Sequence, residues 1–196
     1  MQYPAWLEVD CAQLADNIGA VKDVIGRSEL CVVMKADAYG MGIANVLPTV
    51  IAENISCVAI ADNSELFAIV AQQQPRYEGE IIRLRSATEQ EVIEAAPYGV
   101  TELIGHLDNA AQMSTHAQAA GIKIPYHFEL NSAGMGRNGL DLRHGDGREQ
   151  ARAILQLPGL TPRGIMTHFP KEHRDDISQS LARFREECDW LIEVGG

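Results

Sequence analysis

Lys35 is the residue of this chain whose setting points most directly to chemistry. It ends the short apolar run Cys31-Val32-Val33-Met34 and is followed at once by Ala36-Asp37-Ala38-Tyr39-Gly40-Met41-Gly42. That pattern predicts a buried strand delivering one amine to the carboxyl edge of a sheet. Burial of the amine would disfavour its charge and make it a nucleophile toward an aldehyde carbon. The plain alternative is a lysine whose stem covers the strand terminus while its ammonium reaches water. A second pattern, Gly134-Met135-Gly136-Arg137-Asn138-Gly139, satisfies the G-x-G-x-x-G spacing of a dinucleotide fingerprint. That fingerprint needs a helix opening inside the glycine run. The polar, glycine-rich stretch 140–147 that follows reads as a loop, which argues against nucleotide binding.

The run from Lys35 to Gly42 resembles the pyridoxal phosphate lysine signature of the alanine racemase family, Lys-Ala-Asp-Ala-Tyr-Gly-His-Gly, with Met41 in place of the histidine. Two later runs, Asn131-Ser132-Ala133-Gly134-Met135-Gly136-Arg137-Asn138-Gly139 and Met166-Thr167-His168-Phe169, are similar to further motifs of that family, in the same order. Their flanks are closer to its broad-specificity amino-acid racemase branch. The resemblance implies a pyridoxal 5'-phosphate cofactor and a small amino-acid substrate. It also implies that Lys35 forms the internal aldimine and serves as one of two bases exchanging the Cα proton. Tyr39 would offer its phenol to the cofactor phosphate, Arg137 would bond the phenolic oxygen, and His168 would lie near the pyridine ring. An arginine suits its task because it stays protonated. No metal is implied.

Two departures qualify the likeness. Leu130 and Asn131 stand where alanine-restricted members carry a lysine, and Met41 removes a titratable group near Lys35. In racemases of this kind Cys31 and Cys57 can form a cystine, which depends on compartment.

Composition narrows the remaining classes. The 196 residues are 46% hydrophobic with a formal net charge of −11, which opposes nucleic-acid or anionic-membrane partners. No stretch approaches the ~20 apolar residues of a membrane span. The start Met1-Gln2-Tyr3-Pro4-Ala5-Trp6 lacks a basic and an apolar region. The expected location is therefore cytoplasmic as written, or periplasmic if a signal peptide has been removed. Cys11, Cys31, Cys57 and Cys188 show no zinc-ligand spacing.

The elements that must position these residues alternate along the chain. An opening strand is expected at Trp6 to Asp10, then a helix from Asp10 or Cys11 to Gly26. Strands follow at Leu30 to Met34, Cys57 to Ile60, Glu80 to Leu84, Thr101 to Ile104, Ile124 to Leu130 and Gly164 to Thr167. Helices are expected at Ile43 to Glu53, Asn63 to Gln73, Thr88 to Ala96, Asp108 to Ala120, Arg148 to Gln156 and Asp175 to Glu193. Such alternation predicts a parallel sheet with outer helices. A doubly wound sheet is the pattern-level alternative. The motifs' positions just after strands, and the resemblance, favour a (β/α)8 TIM-type barrel truncated to about six βα units. On that reading residues 1–196 form one incomplete cofactor-binding barrel domain. The family's carboxyl-terminal β domain, and the homodimer expected of full-length members, lie outside it. The expectation is then a racemase portion inactive alone. A non-catalytic pyridoxal phosphate-binding barrel and a truncated gene product without activity are the alternatives.

Overall fold

The structure is a computed structural model describing residues 5–136 and 139–196. It divides into two compact units, Met1–Leu84 and Arg85–Gly196.

In the first unit, residues 5–10 run without strand pairing, so the expected opening strand does not form. The alternation of Trp6, Leu7, Glu8 and Val9 mimics a strand. Trp6 and Leu7 nevertheless remain 74% and 71% exposed, with no neighbouring strand to pair with among the described residues. Asp10 instead caps helix α1 (Cys11–Ile25), its carboxylate accepting from the Gln13 N–H at 2.9 Å. Three parallel strands follow in sequential order, β1 (Cys31–Val33), β2 (Cys57–Ile60) and β3 (Glu80–Arg83). Register pairs Cys31 with Cys57 and Val33 with Ala59. Side chains of a strand alternate between faces. Val58 and Ile60 therefore share one face of β2 and are fully buried, in a unit whose helices include α3 (Ile43–Ala52) and α4 (Asn63–Ala71).

Helix α3 buries Ile43, Val46, Leu47 and Val50, the i, i+3, i+4, i+7 stripe of an amphipathic helix. Each such side chain contributes roughly 1.5–3 kcal/mol by leaving water. The five-residue turn between β1 and α3, α2 (Lys35–Tyr39), is unusual and carries the site.

The second unit repeats the scheme with β4 (Glu102–Ile104), β5 (Ile124–Leu130) and β6 (Leu160–Thr167), again parallel and sequential. Neither sheet contains the strand-order reversal that marks a doubly wound fold. Tyr126, Phe128 and Leu130 of β5 belong to a core with Ala110, Met113 and Ala117 of α6 (Leu107–Ala120) and Ala151 and Ile154 of α7 (Gly147–Leu155). Leu191 of α8 (Arg174–Gly195) closes that core. The remaining helix, α5 (Glu89–Ala95), precedes β4 and runs into a 3₁₀ turn, Ala96–Tyr98.

Strand β6 begins earlier than expected, at Leu160 rather than Gly164. Pro162 reads as a breaker in sequence. It is tolerated here because β6 pairs with β5 alone among the described strands and so lies at the sheet edge. None of the described residues of the glycine run is helical, and the next helix starts at Gly147, which goes against the dinucleotide reading. Among the described residues no helix is long and apolar enough to cross a membrane.

Candidate active site

Lys35 leaves the end of β1 and is half-buried rather than buried, because β1 itself is only partly covered. The chain then makes a single left-handed helical turn. Ala36, Asp37, Ala38 and Tyr39 all lie at φ of 53–54°. For L-residues this conformation costs about 1–2 kcal/mol each. It persists only where the surroundings dictate it.

Those surroundings are specific. Within the turn the Ala38 N–H donates to the Met34 carbonyl at 2.8 Å and the Gly40 N–H to the Ala36 carbonyl at 3.0 Å. The Gly42 N–H donates to the Asp37 carbonyl at 2.9 Å, and the Asp37 carboxylate accepts from Ile43 N–H at 2.7 Å, starting α3. Ala38 is buried, and Gly40 continues at φ 84°, a conformation that carries no Cβ penalty for glycine.

The last restraint comes from α4. The Glu65 carboxylate accepts from the Ala36 N–H at 2.5 Å through one oxygen and from the Ala61 N–H at 2.5 Å through the other, with the Asp62 N–H at 3.3 Å.

The consequence of the turn is that Tyr39 comes back over Lys35. The lysine Nζ sits 5.7 Å from the Tyr39 ring centroid, within the range of a cation–π contact, and Tyr39 is 63% exposed. An amine and a phenol four residues apart thus share one side of the turn. On the face of β1 and β2 that carries Val33, the Sγ atoms of Cys31 and Cys57 are 2.8 Å apart, and both thiols are free. The bond donated by Cys57 favours a thiolate at Cys31 and pushes the Cys57 thiol up.

In the second unit Leu130 pairs with Thr167, and the Thr167 hydroxyl donates to the Leu130 carbonyl at 2.8 Å. Asn131 and His168 therefore leave neighbouring parallel strands at the same level, both at carboxyl ends. His168 is exposed. Arg137 lies outside the described residues.

The segment around Arg137 is anchored at both sides. The Asn131 side-chain oxygen accepts from the Gly136 N–H at 2.9 Å, and the buried Ser132 hydroxyl donates to the buried Glu187 carboxylate. Arg143 stands 3.7 Å from that same carboxylate. Gly139, at φ 96°, lies so close to β5 that a Cβ would sit 2.8 Å from the Leu130 carbonyl carbon. A Cβ on Gly105, just after β4, would in turn meet the Gly139 backbone at 2.8 Å. Leu130 is packed in the core and Asn131 is committed to the loop, so neither replaces a lysine chemically.

The structure thus brings together Lys35 with Tyr39, and the Asn131 loop with His168. Sequence reasoning missed Glu65 and the left-handed turn. The signal for Glu65 was the Asp62-x-x-Glu65 capping box, which marks a helix start and says nothing of Ala36.

Comparison with known proteins settles the family. Residues 9–195 match the family described as alanine racemase, N-terminal domain, and the chain belongs to it. It is 47% identical over 193 residues to a broad specificity amino-acid racemase of Aeromonas hydrophila, covering 97% of this chain and 47% of that protein. It is 38% identical over 193 residues to a lysine racemase of Proteus mirabilis, covering 98% of this chain and 47% of that protein. The chain therefore spans about half the length of the curated relatives it matches. Among solved structures, an alanine racemase of Bacillus anthracis superposes with a TM-score of 0.83 at 22% identity, covering 97% of this chain and 49% of that one. An alanine racemase of Clostridium difficile does so at 0.81 and 21%, covering 95% and 48%. These likenesses show the barrel-type fold of the alanine racemase amino-terminal domain, here with a three-stranded parallel sheet in each unit.

Proposed function

We propose that this chain is the cofactor-holding portion of a pyridoxal 5'-phosphate-dependent amino-acid racemase of the broad-specificity type, with Lys35 as its reactive amine. The observation that carries the reading is the left-handed turn that sets Lys35 and Tyr39 side by side at the carboxyl end of β1. The identity to proteins named as broad specificity amino-acid racemases supports it.

The donor set fits the cofactor. A primary amine suits its aldehyde carbon, and an exposed phenol beside that amine suits a phosphate oxygen. When bound, the cofactor acidifies the substrate Cα–H by acting as an electron sink. Lys35 Nζ is the atom that would hold the cofactor and, once released, take or return the Cα proton from one face. Tyr39 would orient the phosphate end. Arg137 would bond the ring oxygen, and His168, leaving β6 beside the Asn131 loop, would pack near the ring. Racemisation needs a proton carrier on the opposite face as well, and such a base typically contributes 10² to 10⁴ in rate. With one such base in this half-length chain, we propose that it captures the cofactor yet turns over amino acids poorly by itself. The homodimer of full-length members is part of the same proposal.

Borohydride reduction of the chain mixed with pyridoxal phosphate tests this. Phosphopyridoxyl mass is expected on the peptide containing Lys35 and should vanish in Lys35→Ala. Label on Lys22, Lys123 or Lys171 instead would reject the assignment.

A further inference from the structure

We propose that Glu65 is a positioning residue for Lys35, holding the turn that follows it in its left-handed conformation through the Ala36 N–H. The inference rests on the assignment of Lys35 as the reactive amine. Its structural half stands without that assignment.

Glu65 lies in the first turn of α4, where a glutamate ordinarily serves its own helix by reaching back to the N-cap N–H. Here that duty takes the weakest of its contacts, the 3.3 Å approach of the Asp62 N–H. The two short contacts, both 2.5 Å, go to Ala61 at the end of β2 and to Ala36, 29 residues back in the chain. Glu65 is 5% exposed, so water does not compete for these bonds. A carboxylate with both oxygens accepting from backbone N–H groups is the strong, charge-assisted form of the interaction.

The geometry ties this carboxylate to the turn. Ala36 is the first of four consecutive non-glycine residues at positive φ, and its N–H immediately follows Lys35. An unclamped chain of L-residues relaxes to negative φ, which would swing Lys35 and Tyr39 apart. The remaining bonds of the turn either lie inside it or run to its two flanks, Met34 and Ile43. Glu65 alone among the side-chain contacts found for the turn ties it to a distant element, and that element packs against β2 with Leu66 and Ile69 buried. Only an acceptor of this length fits. Glutamine has the same shape but a single acceptor, so its amide must turn a donor toward either Ala36 or the Ala61 and Asp62 pair. Aspartate is one methylene too short to span both.

The test compares variants of the whole chain for the rate at which pyridoxal phosphate and borohydride label Lys35, and for hydrogen exchange at the Ala36 amide. Glu65→Gln is expected to slow labelling at Lys35 by about tenfold or more, the scale of a reactive group displaced by about 1 Å. It should also speed exchange at Ala36. Glu91→Gln, the matched change in the capping box of α5, should alter neither. Adding Ala36→Gly to Glu65→Gln should restore much of the labelling, because glycine occupies positive φ without penalty. A general loss of folding would not be rescued in that way. Labelling and Ala36 protection at parental levels in Glu65→Gln would overturn the proposal, as would a labelling loss that Ala36→Gly leaves in place. Absence of label on Lys35 in the parent chain would strike the functional reading instead. The exchange measurement would then still decide whether Glu65 clamps the turn.

Discussion

The two capping boxes of this molecule use one motif for two purposes. In α5, Thr88 and Glu91 satisfy each other's backbone groups, and Glu91 turns its carboxylate to Arg85 and to the Thr88 hydroxyl at 3.0 Å. Its contacts to Arg85 and Thr88 all lie within six residues, so these bonds fasten a helix to its own connection. In α4, Asp62 and Glu65 make the same reciprocal pair, but the carboxylate continues across to Ala36. A local signal of helix initiation has there become a long-range tie to the backbone just after Lys35. The difference lies in burial. Glu65 is sealed at 5% exposure, whereas Glu91 is half-buried beside a charged partner.

The largest expected effect follows from that contrast. Glu65→Ala strips the acceptors from three part-buried N–H groups, and a buried N–H left unpaired costs about 1–3 kcal/mol. Urea denaturation should show a loss of about 2–4 kcal/mol. Glu91→Ala should cost only about 1 kcal/mol, the value of an ordinary cap. Equal losses would erase the distinction between the boxes.

A pH titration sharpens it further. The Arg85 guanidinium, through its hydrogen bond to the carboxylate, holds the Glu91 carboxyl at about 2, against an ordinary 4.5. Because the folded value lies below the unfolded one, the stability Glu91 supplies is full above about pH 4.5 and drains away as pH falls toward 2. Glu91→Gln should flatten that part of the stability profile, read as the denaturation midpoint between those pH values.

The smallest effect on the lysine is expected from the cysteine pair. Under oxidising conditions Cys31 and Cys57 should close to a disulfide, seen by mass as loss of two hydrogens, because register already sets them face to face. Labelling of Lys35 should stay the same, since the turn is held by α4 and not by the sheet edge. A changed labelling rate would mean that β1, rather than Glu65, governs the turn.

Much of this was legible in the sequence, for reasons visible residue by residue. Helices such as Cys11–Ile25 and Ile43–Ala52 announced themselves through caps and apolar spacing, and their observed ends fall within a residue or two of expectation. The motifs also fell where a parallel sheet needs them, just past β1, β5 and β6. What failed was whatever depends on a partner distant in sequence. Trp6 to Asp10 has strand chemistry but no strand beside it among the described residues, and Pro162 is accommodated by the edge position of β6 and the register shift beside it. The left-handed turn was hidden because Ala36 to Tyr39 contains no glycine to betray positive φ. Glu65 was hidden because a capping glutamate looks the same whether it serves one helix or two elements.

The turn after Lys35 is, in backbone terms, a mirror image. Four L-residues there follow the path that D-residues prefer, since inverting the α-carbon inverts the sign of the favoured φ. A D-alanine built into the exposed position 36 by chemical ligation would rest in its own basin, where the natural residue is held under load. The stretch that follows Lys35 is thus one where the opposite hand of amino acid fits the main chain better than the one the ribosome supplies.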